Sequence, residues 1–123
     1  MGLKEIAEAL CAHCRNGTEA EALNTLYAPD AVSVEAEPMK GMDSAETHGL
    51  DGIRGKHEWW NGAMEVHDGS VDGPYMHGAD RFAVIFEMDA TEKASGNRMQ
   101  MKEVGIYTVA GGKIAREEFF YTM

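Results

Sequence analysis

Five histidines, two cysteines and several glutamates set among apolar residues give this chain its chemical range. His57 to His67 read HEWWNGAMEVH, in which two histidines bracket a Trp pair, a Met and two acids. An imidazole beside a carboxylate titrates near neutrality and suits general acid/base work, so the first question is which side chains share a face. With Ile53 as origin and about 100° per helical residue, His57, Trp60 and Met64 lie within roughly 40° of it. These four make the inward face, while Glu58, Asn61 and Glu65 face away and Trp59 points elsewhere. His57 is then either a core histidine satisfied by a neighbouring carbonyl or carboxylate, or an acid/base group.

Glu103 stands among Met101, Gly105 and Tyr107, and Glu117 alternates with Phe119 and Tyr121. If those sets face the interior, each acid is desolvated and its pKa rises; if they face out, the acids are simply solvated. Register decides between the two. A two-residue Gly111-Gly112 turn places Val109 opposite Ile114, whereas a three-residue loop brings Glu103 near Phe119. The remaining histidines, His13, His48, His67 and His77, have no His-x-x-x-His helical spacing, and no metal site is expected. Cys11 and Cys14 form CAHC inside a helical pattern without a second Cys/His pair, and read as structural thiols. There is no phosphate-binding Gly loop, Gly-x-Ser-x-Gly elbow or dinucleotide fingerprint, so no cofactor is expected.

Helical spacing of Leu3, Ile6, Ala7, Leu10 and Cys14, stopped by Asn16-Gly17, predicts a first helix over Leu3 to Arg15. Thr18 and Glu21 suit a capping box for a short second helix carrying Ala22, Leu23, Leu26 and Tyr27 and ended by Pro29-Asp30. Ala31 to Glu35 alternates as a strand, and Glu37 to His48 reads as a loop. A third helix runs from about Asp51 to just before Asp68-Gly69. The period then changes to two, with strands predicted over Ser70 to Met76, Arg81 to Thr91, Arg98 to Val109 and Lys113 to Thr122. Helices first and hairpin-linked strands afterwards mean an α+β fold, with helices on one face of an antiparallel meander. The long strands are partly apolar on both faces, which calls for a second cover, expected to be another copy of the chain in a two-fold dimer.

At 123 residues, with 44% hydrophobic and 26% charged residues, the chain fits one globular domain. Its net charge of −10, from 21 acids against 11 bases, lacks any basic stripe and excludes nucleic acid as a partner. No apolar run approaches the roughly 20 residues of a membrane span, and Met1 to Leu10 lacks a signal-peptide core, so a cytoplasmic protein is expected.

Two N-terminal helices, LYAPDAVSVE, GLDGIRGKHEWW and a four-strand meander ending GGKIAREEFFY together resemble the nuclear transport factor 2-like superfamily. The likeness is strongest to its SnoaL-like and ketosteroid isomerase-like members, and residues 1–123 read as a single SnoaL-like domain. The resemblance implies a cystatin-like cone: a curved antiparallel sheet wrapped around the N-terminal helices, commonly dimeric, with a pocket for a small hydrophobic molecule. Glu35 matches the position of the proton-shuttling base in ketosteroid isomerase-like enzymes, with Glu37 as substitute if the strand slips. That family's Tyr and Asp oxyanion donors are matched by Cys11 and Gly105, with Glu103 one pleat away, so ketosteroid isomerase activity itself is not expected. The pattern points to a cofactor-independent acid/base enzyme of isomerase, cyclase or dehydratase type. Glu35, His57 and Glu103 are its candidates, with Tyr27, Trp60, Met64, Phe86, Met88, Met101, Tyr107, Phe119 and Tyr121 as lining. The alternative is a non-catalytic dimeric module that binds a ligand or a partner domain.

Overall fold

The computed structural model describes residues 2–38 and 41–121. Helix α1 (Leu3–Asn16) buries Ile6, Ala7, Leu10 and Cys11 and ends at Gly17, whose φ of 70° is the left-handed cap that glycine adopts without strain. Its Arg15 guanidinium donates to the carbonyls of Val71 and Gly73, both at 3.0 Å, tying the helix end to the sheet. In α2 (Glu19–Thr25) the expected capping box does not form. Thr18 instead bonds His13 Nδ1 at 2.7 Å, so its hydroxyl serves the end of α1.

Strand β1 (Tyr27–Val34) starts earlier than the alternation suggests, because its pairing with the last strand resumes after an irregularity between Tyr27 and Val32 that absorbs Pro29 and Asp30. Strand β2 (Glu46–His48) lies inside the expected loop and pairs with β1. Helix α3 (Leu50–Ala63) stops short of the predicted end, and the chain is already extended at Met64, the start of β3 (Met64–His77). The buried Met64 is therefore the first residue of a strand rather than part of a helix face. Strands β4 (Arg81–Glu92), β5 (Arg98–Ala110) and β6 (Lys113–Phe120) complete the meander. Thr122, the expected last residue of that strand, lies outside the described residues.

The six strands form one curved sheet in the order β2-β1-β6-β5-β4-β3, antiparallel except where β1 runs parallel to β6. Wrapped by it, α1, α2 and Ile53 of α3 share a core with Phe82, Val84, Tyr107 and Ile114. The α+β cone is the observed architecture. Among the described residues no helix is long and apolar enough to cross a membrane.

Direct cross-strand partners share a face, so the register names the inner surface. Phe82 faces Tyr107, Val84 faces Gly105, Phe86 faces Glu103 and Met88 faces Met101. On the next strand Glu117 lies beside Tyr107 and Phe119 beside Gly105. Burial falls along this surface: Phe82, Val84, Tyr107 and Glu117 are buried, whereas Phe86, Met88, Met101, Glu103 and Phe119 are only half-buried. The helices close one end and leave the other open.

Candidate functional site

Strand β1 places Ser33 beside Glu117 of β6, and alternation carries Glu35 to the same inner face two residues on. From the opposite side α3 projects Lys56 over this surface. Its ammonium donates to Ser33 Oγ at 2.7 Å, stands 3.6 Å from Glu35 Oε2, and lies 5.6 Å from the centre of the Phe119 ring. The Lys56 stem thus crosses apolar floor while its charge meets carboxylates. Ser33 in turn donates to Glu117 Oε2 at 2.8 Å, and the Tyr27 hydroxyl donates to Glu117 Oε1. Tyr27, Glu117, Ser33, Lys56 and Glu35 form one continuous polar chain between the core and the half-buried end.

Its electrostatics are uneven. Burial pushes the Glu35 carboxyl up, and Glu117 adds to the rise, against the pull of Lys56. Glu103 is pushed up to about 7, chiefly by burial and then by Glu35, with Lys56 opposing. Near neutrality Glu103 therefore exchanges between acid and carboxylate, a property suited to giving and taking protons. Tyr121 is held up at about 12 by burial and by the Glu35 and Glu103 carboxylates, so it remains a phenol donor. Burial and Glu117 likewise raise Tyr27 and Tyr107 well above the ordinary phenol value. Glu35 Oε2 is buried and has no hydrogen-bond partner among the described residues. Lys56, at 3.6 Å, is an ion-pair neighbour rather than a donor.

Room for this cluster is made at Gly105. A Cβ there would meet Tyr107 at 3.0 Å, Phe119 at 3.2 Å and Phe86 at 3.3 Å, so the missing side chain is what lets the three rings close around the centre of the face. Tyr107 stacks on Phe82 with centroids 5.1 Å apart and meets Phe119 edge-on at 6.2 Å. Among the described residues no three metal-ligating side chains stand together. Lys56 supplies the positive charge among these acids.

Of the residues singled out from sequence, Glu35, Glu103, Tyr27, Phe86, Tyr107, Phe119 and Tyr121 come together on this inner surface. Met88 and Met101 face each other one pair further along, at a shallow depression of about 380 Å³ that also takes in Gly69 and Lys102. Trp60 is half-buried one turn beyond Lys56, on the same flank of α3. Met64 lies opposite Glu92, at the other end of the sheet from Phe82. His57 is not gathered in: it lines a groove of about 130 Å³ against α2, with Ala20, Leu23 and Asn61, and hydrogen-bonds neither Glu35 nor Glu103. Lys56, Ser33 and the paired role of Glu117 were missed. Cys11 is buried at the closed end, and burial with nearby acids pushes the Cys14 thiol up to about 12.

A family model described as a SnoaL-like domain matches residues 1–121. A solved structure from Mesorhizobium loti, a proposed SnoaL-like polyketide cyclase also described as a carbohydrate phosphatase, is 45% identical, with a TM-score of 0.89 over 98% of this chain and 100% of that one. A proposed polyketide cyclase from Pseudomonas putida is 18% identical, with a TM-score of 0.73 over 100% and 93% of the two chains. A protein from Catenulispora acidiphila with a ketosteroid isomerase-like fold, solved with trimethylamine, is 22% identical at a TM-score of 0.72 over 100% and 88%. The last two bear on the fold alone. No curated protein matches the sequence.

Proposed function

Because the chain belongs to the SnoaL-like family, we propose that it is a cofactor-independent acid/base enzyme acting on a small, neutral, hydrophobic carbonyl compound. The observation that carries this reading is the convergence of an unpartnered, buried Glu35 oxygen, a Glu103 carboxyl poised at about 7 and the Lys56 ammonium. Glu35 takes the proton α to the carbonyl: the C–H bond breaks, its electron pair passes to the enolate, and the proton resides on Oε2. Lys56 stabilises the oxyanion as it forms, and Glu103 in its acid form delivers a proton to that oxygen. Once the oxygen's proton has returned to Glu103, delivery of the Glu35 proton to another carbon gives isomerisation, while attack of the enolate carbon on a second carbonyl, whose new alkoxide takes that proton, gives ring closure. Phe86, Phe119, Tyr121 and Trp60 supply apolar walls for such a substrate. Three carboxylates against one ammonium disfavour a phosphorylated substrate, which would bring more negative charge into the same surface.

The test is α-deuteration of 1-indanone and 1-tetralone in deuterium oxide, followed by proton NMR. Glu35→Gln and Glu103→Gln are each expected to lower the rate by about 10²-fold or more, and His57→Ala to leave it unchanged. Exchange no faster than in buffer, or undiminished in both carboxylate variants, would refute the acid/base reading in favour of a binding module.

The assembly proposed with this function is a homodimer through the outer sheet face. There Ile85, Val104 and Phe120 are cross-strand neighbours in one row, with Ala83 and Ile106 in the next. Phe120 is 53% exposed and Tyr75 49% exposed, an apolar surface that a second copy would cover.

A further inference from the structure

Glu117 and Ser33 do not reach the half-buried end of the inner face, yet both are almost wholly removed from solvent, with Glu117 3% and Ser33 0% exposed. A buried carboxylate is costly unless its lone pairs are taken up, and here two hydroxyls do so. The direction of each bond is fixed by chemistry. An ammonium has protons only to give, so Lys56 donates to Ser33 Oγ; the single serine proton must then go to Glu117. Through this bridge Glu117 acts as the hydrogen-bonded counter-ion of Lys56, although it is the more remote carboxylate. Glu35 Oε2 is left 3.6 Å from Nζ, buried and without a donor.

We propose that Ser33 and Glu117 are positioning residues for Glu35: by taking the Lys56 hydrogen bond they hold the ammonium off the Glu35 carboxylate, and so keep Oε2 free to accept a proton. This deepens the acid/base reading and rests on it for its catalytic consequence, but the geometry makes a claim of its own. Without the Ser33 hydroxyl, the carboxylate nearest to Lys56 is Glu35, and closing from 3.6 Å to a hydrogen bond with its Oε2 needs only a small side-chain movement. A carboxylate that accepts such a charge-assisted bond is a weaker base.

The experiment titrates the side-chain carboxyl carbons of the glutamates by ¹³C NMR in wild type, Ser33→Ala, Ser33→Thr and Glu117→Gln, alongside the pH dependence of indanone exchange. Thermal unfolding checks that each variant is folded. In Ser33→Ala the Glu35 midpoint is expected to fall by about one pH unit. The acid limb of the rate profile moves down with it, and kcat drops several-fold with KM nearly unchanged. Ser33→Thr, which restores a hydroxyl, returns both towards wild type. Glu117→Gln lowers the Glu35 midpoint as well, because it loosens the bridge and removes a negative charge that raises Glu35. A Glu35 midpoint that stays put in folded Ser33→Ala, or in folded Glu117→Gln should the alanine variant not fold, overturns the proposal. A midpoint that falls in a protein without any exchange activity upholds the positioning unit while removing the enzymatic reading.

Discussion

Glu103 gives the sharpest thermodynamic test of the cluster. Its carboxyl has an ordinary value of 4.5 and is pushed up to about 7 in the folded chain, first by burial and then by Glu35. Between those values the native state holds a proton that the unfolded chain has lost. The contribution is therefore fully present below 4.5 and is lost as pH rises through about 7. Each pH unit across that window is worth about 1.4 kcal/mol, which gives about 3 kcal/mol, reduced to about 2 kcal/mol for half-burial and for sharing with Glu35. Glu103→Gln keeps the shape and removes the charge. Urea unfolding of wild type and variant at pH 4 to 8 should show wild-type stability falling relative to the variant by about 2 kcal/mol, almost all of it below pH 8. The variant is then the more stable protein in mildly alkaline solution. A stability difference independent of pH, or one that grows in favour of wild type with rising pH, would show that Glu103 is not desolvated beside a second acid, and the reasoning about the site would fail with it.

Two further outcomes follow from packing. Gly105→Ala places a methyl 3.0 to 3.3 Å from the rings of Tyr107, Phe119 and Phe86; overpacking of this kind costs about 1–3 kcal/mol, and calorimetry should record a Tm lower by about 3–10 °C, whereas a shift below about one degree would mean that the rings yield freely. Val104→Asp puts a charge in the middle of the outer row between Ile85 and Phe120 and should turn a wild-type dimer into a monomer in sedimentation at micromolar concentration, while a wild-type monomer would remove the dimer proposal.

Much of the architecture was legible because period and punctuation agree. The switch from helical spacing to alternation, with glycine-rich turns between the strands, carries the α+β reading, and the β4 and β5 strands match their expected ranges to within a residue at each end. Errors fell where one sequence pattern fits two structures. Met64 continues the helical stripe of Ile53, His57 and Trp60, yet the backbone turns extended at that residue. Alternation read over MEVHDGS is weak because only Met64 is buried there. Pro29 looked like a stop and instead falls where the pairing of β1 with β6 is interrupted between Tyr27 and Val32, so that its missing donor does no harm.

The site was half legible, for two physical reasons. A helical wheel finds the centre of a buried stripe but not which neighbour each flank meets. Lys56 and His57 sit on opposite sides of Ile53, and the histidine flank meets α2 while the lysine flank meets β1. By type, lysine reads as a solvated residue, and only the apolar floor under its stem and the acids at its tip reverse that expectation.

The second reason lies in β6. The two-residue Gly111-Gly112 turn does place Val109 opposite Ile114, and strict alternation from there would set Arg116 opposite Tyr107, in the core. The strand avoids this by leaving Ala115 unpaired: Thr108 pairs with Arg116 and Tyr107 with Glu117, so Arg116 turns outward to Glu118 at 3.1 Å and Glu117 turns inward to Tyr27 and Ser33. Ile114 and Phe119, an odd number of residues apart, both face inward only because of that extra residue. The bulge is thus the element that delivers the counter-ion of Lys56 to the core. A register that paired Ala115 with Thr108 would exchange the bridged carboxylate for an arginine beside Tyr107, and with it lose the arrangement that leaves Glu35 free.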